Sequence, residues 1–145
     1  MLPIEIRRID PSVPLPEYQT SGAAGFDLAA RHDVVVEPGT VALIPTGLVI
    51  KVPEGYFLGI FARSSTPLRR GLMVSNGVGV IDPDYCGATD EIKVQVLNFT
   101  STAVRVSKGD RLAQGLFIPV TRVHWQESSA DLRDSSRGGF GATGR

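Results

Sequence analysis

Residues 76–85 hold the side chains best suited to chemistry on a small molecule. Asn76 opens an Asn-Gly turn, and Asp82 opens an Asp-Pro-Asp turn six residues later. Pro83 biases the backbone of Asp82 towards an extended conformation, so the Asp82 carboxylate has a defined direction. An amide that can read a base edge, a directed carboxylate and the flat ring of Tyr85 together indicate a small-molecule site. A double turn with solvated acids is the alternative interpretation.

A second group follows an apolar run that ends at Phe61 and consists of Arg63, Ser64 and Ser65. A guanidinium group offers a rigid fork of donors, and hydroxyl groups with turn amides add more. This combination predicts an anion cradle. A serine-rich turn with a solvated arginine is equally compatible with the residues alone.

Two polar residues stand out because strand packing does not demand them. Asp27 follows a run of small residues at the start of a strand, where a bulged strand with an exposed acid is the simpler interpretation. Gln114 alternates with apolar neighbours in another strand. Such a glutamine either faces solvent or hydrogen-bonds to a partner.

The last nineteen residues differ from the rest, since Leu132 and Phe140 are their only large apolar side chains. Such a segment cannot bury enough apolar area on its own domain to offset the entropy of ordering, so we expect a flexible arm. Glycines let backbone amides approach a phosphate, Arg137 can pair with it and Phe140 can stack on a base. A disordered glycine-rich end is the alternative.

The elements that must position these residues are short strands separated by glycine and proline turns. Eight apolar runs predict them: Val34–Glu37, Val41–Pro45, Leu48–Val52, Tyr56–Ala62, Met73–Val80, Ile92–Asn98, Val104–Val106 and Leu112–Val120. Strands at this spacing predict an all-β sandwich or jelly-roll barrel, with at most one helical turn at Pro67–Arg70. We expect one β-barrel domain over residues 1–126 and an arm over 127–145.

Composition excludes several function classes. Fifteen basic residues balance fifteen acidic ones, so net charge gives no sign of a nucleic-acid or membrane partner. Cys86 is the only cysteine, and no Cys/His spacing resembles a zinc site. No apolar run approaches the length of about 18 residues that spans a bilayer. A cytoplasmic protein is expected.

The polar groups described above lie in five segments, around Asp27, Arg63, residues 76–85, Gln114 and Arg137. In this order along residues 23–144, they resemble the five motifs of the trimeric dUTPase family. The most specific are Gly-Val-Ile-Asp-Pro-Asp-Tyr and Arg-Gly-Gly-Phe-Gly-Ala-Thr-Gly. The resemblance implies a dUTPase-like jelly-roll that hydrolyses dUTP to dUMP and pyrophosphate, keeping uracil out of DNA and supplying dUMP for dTMP synthesis. It also implies Mg²⁺, held by the triphosphate and waters rather than by protein ligands, and a homotrimer with shared active sites.

The resemblance further implies a role for each site residue. Asp82 would be the general base for water attack on the α-phosphorus, supported by Asp27. Phosphate oxygens would be held by Arg63, Ser64, Ser65 and Gln114, and the γ-phosphate by Arg137. The nucleoside would be contacted by Asn76, Val80, Ile81, Tyr85 and Lys93. In the arm, Phe140 would stack over the uracil and Gly141 would also bind the substrate.

The sequence departs from the family pattern at three places. Cys86 stands where the family usually has Arg or Gln, Ala142 replaces a common Ser, and residues 88–90 resemble an insertion that makes the placement of Lys93 less secure.

Two other functions remain as alternatives. A dCTP deaminase of the same fold needs a carboxylate where this chain has Gln95, which cannot act as a base. A non-catalytic jelly-roll protein is expected to have lost Asp82 or Arg137, and both are present.

Overall fold

The structure, a computed structural model, describes residues 2–139, within which the chain forms eleven strands and one short helix. In chain order they are β1 (Ile6–Arg8), β2 (Phe26–Ala29), β3 (Val34–Val36), β4 (Val41–Pro45), β5 (Leu48–Ile50), β6 (Tyr56–Ala62), α1 (Ser65–Arg70), β7 (Leu72–Val74), β8 (Gly79–Ile81), β9 (Lys93–Asn98), β10 (Val104–Val106) and β11 (Arg111–Pro119). The all-β prediction is confirmed, and the predicted bounds of β4, β6 and β10 match.

The strands pair antiparallel in four sheets. The largest has the order β2-β11-β6-β8, and a second has the order β4-β9-β7. Two-stranded pairs β1-β5 and β10-β3 complete the set. Strand β11 is therefore flanked on both sides, whereas β8 lies at a sheet edge.

Alternating side chains build the core between the sheets. In β9, Val94, Val96 and Asn98 point inward and are almost completely buried, while Gln95 and Leu97 between them are more accessible. This period of two is what a half-buried strand requires. Other strands contribute the same kind of apolar side chain, among them Leu28, Ile44, Ile50, Leu58, Ile60, Leu112 and Val106.

The structure corrects the single strand predicted for Met73–Val80. The chain instead leaves β7 at Val74, turns through Asn76-Gly77 and enters β8 in a different sheet. Gly77 has a φ of 72°, and its N–H donates to the Val74 carbonyl at 3.1 Å. A left-handed glycine suits this turn, and the turn interrupts the apolar run that had predicted one strand.

Two further differences concern elements that apolar runs do not mark. Strand β1 has only one apolar residue in three and was not predicted. The helical turn extends two residues further towards the N-terminus than predicted and ends at Gly71, whose φ of 64° forms a left-handed cap.

The segment from residue 120 to 139 is exposed throughout and forms no strand or helix. Its Trp125 is 87% exposed and Leu132 is 92% exposed, although both side chains are apolar. Phe140, Gly141 and Ala142 lie outside the described residues. Within residues 2–139, no helix has the length and apolar character needed to cross a membrane.

Candidate active site

Strand pairing on both sides of β11 brings three predicted site residues together. Asp27 of β2 lies opposite Gln114 in register, and Phe61 of β6 lies opposite Gln114 on the other side. Arg63 follows two residues after Phe61, immediately beyond the end of β6. Three segments that are far apart in sequence therefore meet at one end of the largest sheet.

The Asp27 carboxylate is shared by two arginines. Arg63 Nε lies 2.8 Å from Asp27 Oδ1, and Arg111 Nη1 lies 3.0 Å from Oδ2. The Asp27 side chain is only 12% exposed. Both carboxylate oxygens are therefore occupied, and the three groups together carry one net positive charge.

Gln114 is a partly buried residue with a defined partner. Its Nε2 donates to the Ala62 carbonyl at 3.1 Å. Of the two predicted possibilities, exposure to solvent and a hydrogen-bonded partner, the structure shows the partner. A Cβ added to Gly25 would lie 2.8 Å from Leu116 Cδ1 and 3.1 Å from Gln114 Oε1. Gly25 thus leaves the space in which the Gln114 amide lies.

The two serines after Arg63 begin α1. Ser64 is the N-cap residue but its side chain makes no capping hydrogen bond, and within residues 2–139 neither serine hydroxyl has a hydrogen-bond partner. Thr66, by contrast, is buried and donates through Oγ1 to the Leu112 carbonyl at 2.7 Å. Thr66 anchors the helix to β11, so the serine hydroxyls beside it remain available to a ligand.

The second group of predicted residues lies along β8 and the turn after it. Val80 and Ile81 pair with Gly59 and Leu58 of β6, and Val80 is 57% exposed. β8 is an edge strand, so the backbone groups on its outer side lack a strand partner within the described residues. Such an edge can hydrogen-bond to a planar ligand as it would to another strand.

Asp82 and Tyr85 share a turn beyond that edge. The Tyr85 N–H donates to the Asp82 carbonyl at 3.1 Å, and the Tyr85 hydroxyl donates to the Glu91 carbonyl at 3.3 Å. The Tyr85 ring is nonetheless 40% exposed, and the Asp82 side chain and Asn76 are exposed as well. The ring and the carboxylate therefore both remain accessible.

The single chain does not bring the two groups together. No hydrogen bond or ion pair joins Asp82, Asn76 or Tyr85 to the Asp27 cluster in the described part of the chain. Lys93 opens β9 opposite Pro45 in the other sheet, and Arg137 is exposed on the C-terminal segment. Phe140 and Gly141 fall outside the residues that the structure describes.

The insertion-like residues 88–90 form a closed turn. The Gly87 N–H donates to Asp90 Oδ2 at 2.7 Å, and Arg7 Nη2 donates to the Ala88 carbonyl at 2.6 Å. Cys86 is partly buried, and its Sγ lies 3.5 Å from the Pro83 carbonyl. The extra residues are thus accommodated before β9 begins at Lys93.

Sequence reasoning missed Arg111 and Gln19. Arg111 Nη1 contacts Gln19 Oε1 at 2.7 Å as well as Asp27. Residues three apart lie on opposite faces of a regular strand, so alternation separates Arg111 from Gln114. A register shift between Arg111 and Ala113 changes that relation, and no sequence signal marked this irregularity.

No group of three or more His, Cys, Asp or Glu side chains within residues 2–139 is arranged to hold a metal ion. Asp27 in particular has both oxygens engaged by guanidinium groups.

Comparisons with known proteins agree on one family. The family model described as dUTPase matches residues 12–144. The deoxyuridine 5'-triphosphate nucleotidohydrolase of Thermobifida fusca is 45% identical over 97% of this chain and 78% of that protein. The solved dUTPase of Streptococcus mutans is 34% identical, covers 84% of this chain and 98% of that chain, and superposes with a TM-score of 0.76.

A more distant structure shares the fold. The Staphylococcus bacteriophage 80alpha dUTPase with dUPNHPP is 22% identical, covers all of both chains and has a TM-score of 0.87. Extensive sequence identity, a family model spanning most of the chain and the shared fold together show that this chain belongs to the dUTPase family.

Proposed function

We propose that the protein hydrolyses dUTP to dUMP and pyrophosphate, by attack of water on the α-phosphorus. The observation that carries the proposal is the cluster of Asp27, Arg63, Arg111 and Gln114 beside the free hydroxyls of Ser64 and Ser65. It offers a net positive charge and several donors at one point, as a triphosphate requires. Family membership supplies the substrate.

The phosphate chain binds at this cluster in our proposal. Arg63 donates to phosphate oxygens from the edge of its guanidinium that Asp27 leaves free, and the serine hydroxyls donate beside it. Asp27 orients Arg63 and does not itself contact an anion, because its charge would repel phosphate. Gln114, held by the Ala62 carbonyl, donates or accepts near the attacked phosphorus.

Mg²⁺ fits this set of residues only as an ion that arrives with the nucleotide. The described residues provide no cage of carboxylates, and Mg²⁺ commonly keeps waters and binds substrate phosphates. No residue of the chain is assigned as a direct ligand. When bound, the ion neutralises charge on the triphosphate and on the leaving pyrophosphate.

Asp82 acts as the general base. Its exposed carboxylate, directed by Pro83, accepts a proton from the attacking water. The oxygen of that water bonds to the α-phosphorus while the bond from this phosphorus to the bridging oxygen breaks. Pyrophosphate then leaves with the bonding electron pair.

Nucleoside recognition is assigned to the β8 edge and its turn. The outer backbone of Val80 and Ile81 and the amide of Asn76 pair with the uracil edge, while the Tyr85 ring lies against the deoxyribose. Lys93 contributes from the start of β9. Polar mispairing at such an edge discriminates against cytosine, and close packing excludes the methyl group of thymine.

A homotrimer completes the site by combining groups that one chain keeps apart. The outward face of the β4-β9-β7 sheet supports assembly, because exposed Val41 and Met73 flank Leu97 from both sides in register. Contiguous apolar patches of this kind mark protein interfaces. Residues 1–126 form the catalytic domain in this proposal, and residues 127–145 form the arm that closes a neighbouring subunit's site.

The arm supplies the last contacts. Arg137 clamps the γ-phosphate, Phe140 stacks on the uracil, and the amide of Gly141 approaches a phosphate. Full exposure of residues 120–139 supports this role, since the segment finds no place on its own domain. The reaction keeps uracil out of DNA and supplies dUMP for dTMP synthesis; a cytoplasmic location is proposed with it.

Product analysis tests the chemistry. The enzyme is incubated with dUTP and Mg²⁺ in ¹⁸O-labelled water. The products are separated, and the mass of each is measured by mass spectrometry. We expect dUMP and pyrophosphate in equal amounts, with the label in dUMP. Formation of dUDP and phosphate, or label in pyrophosphate, would refute attack at the α-phosphorus.

A further inference from the structure

Arg111 joins three separate segments of the chain at the candidate phosphate site. Its Nη1 lies 3.0 Å from Asp27 Oδ2 and 2.7 Å from Gln19 Oε1, and its carbonyl accepts a weaker hydrogen bond from Arg63 Nη1 at 3.4 Å. Strand β2 and the loop before it therefore meet at the Arg111 side chain, and the segment after β6 contacts the Arg111 backbone.

Stability does not account for this arrangement. The Arg111 side chain is 45% exposed, and ion pairs of exposed arginines contribute little to folding because water screens them and two long side chains must be ordered. The Asp27 side chain, at 12% exposure, could be neutralised by Arg63 alone. The second arginine thus leaves the cluster with an excess positive charge.

The contacts of Arg63 show which of its nitrogen donors remains available to an anion. Arg63 engages Asp27 through Nε and the Arg111 carbonyl through Nη1. Within residues 2–139 its Nη2 makes no hydrogen bond. With Arg111 holding the other carboxylate oxygen, Asp27 stays in an orientation in which Arg63 keeps Nη2 free for an anion.

We propose that Arg111 is a positioning residue that holds Asp27 and Arg63 in the arrangement that binds the phosphate chain of the substrate. The inference rests on the proposed function, because it assigns a role within the dUTP site. It predicts that Arg111 affects ligands according to the number of phosphates they carry. Binding of the uracil and deoxyribose, assigned to the β8 edge, is independent of it.

Arg111→Gln is the direct test. We expect kcat/KM for dUTP to fall roughly 10- to 100-fold, mostly through KM, because hydrogen bonds to charged groups are lost. The Ki of the non-hydrolysed α,β-imido analogue of dUTP should rise by a similar factor, whereas the Ki of dUMP should rise much less. Arg111→Lys, which keeps the charge but loses the planar fork, should recover part of the loss.

Two controls separate positioning from general damage. Arg105→Gln removes the same charge from another exposed Arg–Asp pair, with Asp33, and should leave activity and Tm unchanged. In an Asp27→Asn background, Arg111→Gln should add little further loss, since the two residues act as one unit.

Wild-type turnover of dUTP separates this inference from the proposed function. A wild type that does not hydrolyse dUTP would refute the proposed function, whatever Arg111 does. If the wild type hydrolyses dUTP and Arg111→Gln has the same KM, the positioning role is wrong. Equal weakening of the imido analogue and dUMP, with a Tm lowered well beyond the Arg105 control, would instead assign Arg111 a purely structural role and overturn the inference.

Discussion

The two aspartates of the site occupy different surroundings, and this difference separates their roles. Asp27 is nearly buried, and each of its oxygens is paired with a guanidinium group. Asp82 is exposed and has no ion pair in the described part of the chain. A carboxylate engaged on both sides orients its partners, whereas a free one can accept a proton. Asp82 is therefore the residue to which we assign the base.

Asp82→Asn tests that assignment. An amide cannot accept the proton of the attacking water, so we expect kcat to fall by about 10²- to 10⁴-fold. Affinity for the imido analogue, measured by calorimetry, should change little. Asp84→Asn, in the same exposed turn, is the matched control and should retain most activity. Equal losses in both variants would contradict the assignment of Asp82 as base.

At the scale of elements, apolar alternation predicted most strands, and glycine and proline turns separated them correctly at β4, β6 and β10. Alternation could not predict the irregular places. The Asn76-Gly77 turn separates β7 from β8, which were predicted as one strand but lie in different sheets. A register shift in β11 places Arg111 beside Asp27. The register shift depends on pairing partners that lie far away in the sequence. The Asn76-Gly77 turn has a local signal, which the strand predicted for Met73–Val80 did not take into account.

The buried side-chain amide of Asn98 joins β9 to β3 and to the loop that follows β9. Its Nδ2 donates to the carbonyls of Val36 and Thr102, and its Oδ1 accepts from Thr100. Asn98→Asp should lower the free energy of unfolding by about 2–4 kcal/mol, because two carbonyls lose their donor and an acid is buried. Urea unfolding measures the change, with exposed Ser101→Ala as the control. A change within error for Asn98→Asp would contradict the structural role.

The ion pair between Arg70 and Asp110 ties α1 to the turn before β11, with 2.7 Å between Arg70 Nη1 and Asp110 Oδ2. The hydrogen bond from Arg70 holds the pKa of Asp110 below its usual value. A pKa lowered by folding adds stability above the unfolded-state pKa of about 3.9, and this stability is lost as pH falls through the folded-state pKa.

We therefore expect Arg70→Gln to destabilise the protein by about 1 kcal/mol or less at pH 7 and by less still near pH 3. Urea unfolding at both pH values measures this difference. Arg69→Gln, an exposed neighbour, should show no such pH dependence. An Arg70→Gln effect that is equally large at pH 3 would show that the ion pair is not its cause.

At the scale of the whole molecule, the sequence predicted a C-terminal segment without a place on its own domain, and residues 120–139 are exposed. That prediction rests on composition alone. It could not show which proposed site residues one chain brings together. Asp27, Arg63 and Gln114 meet, while Asp82 and Arg137 remain apart from them. Sharing between subunits is the proposal that unites them.

Subunit mixing tests that proposal. A chain ending before Arg137 should assemble normally but lose most activity, because the phosphate clamp is removed. Co-refolding it with the Asp82→Asn chain should restore activity above the sum of the two alone, since mixed trimers can contain complete sites. Native mass spectrometry verifies the mixed assemblies. Mixed trimers without recovered activity would argue that each site is built from one chain.

The central claim is selective hydrolysis of dUTP, and the most direct measurement is pyrophosphate release with Mg²⁺ from dUTP, dTTP, dCTP and UTP in turn. We expect kcat/KM for dUTP to exceed each of the others by about 100-fold or more, because our proposal assigns rejection of the wrong base to the β8 edge and rejection of the ribose hydroxyl to Tyr85. Comparable turnover of dTTP or dCTP would contradict the assignment of this chain as a selective dUTP hydrolase.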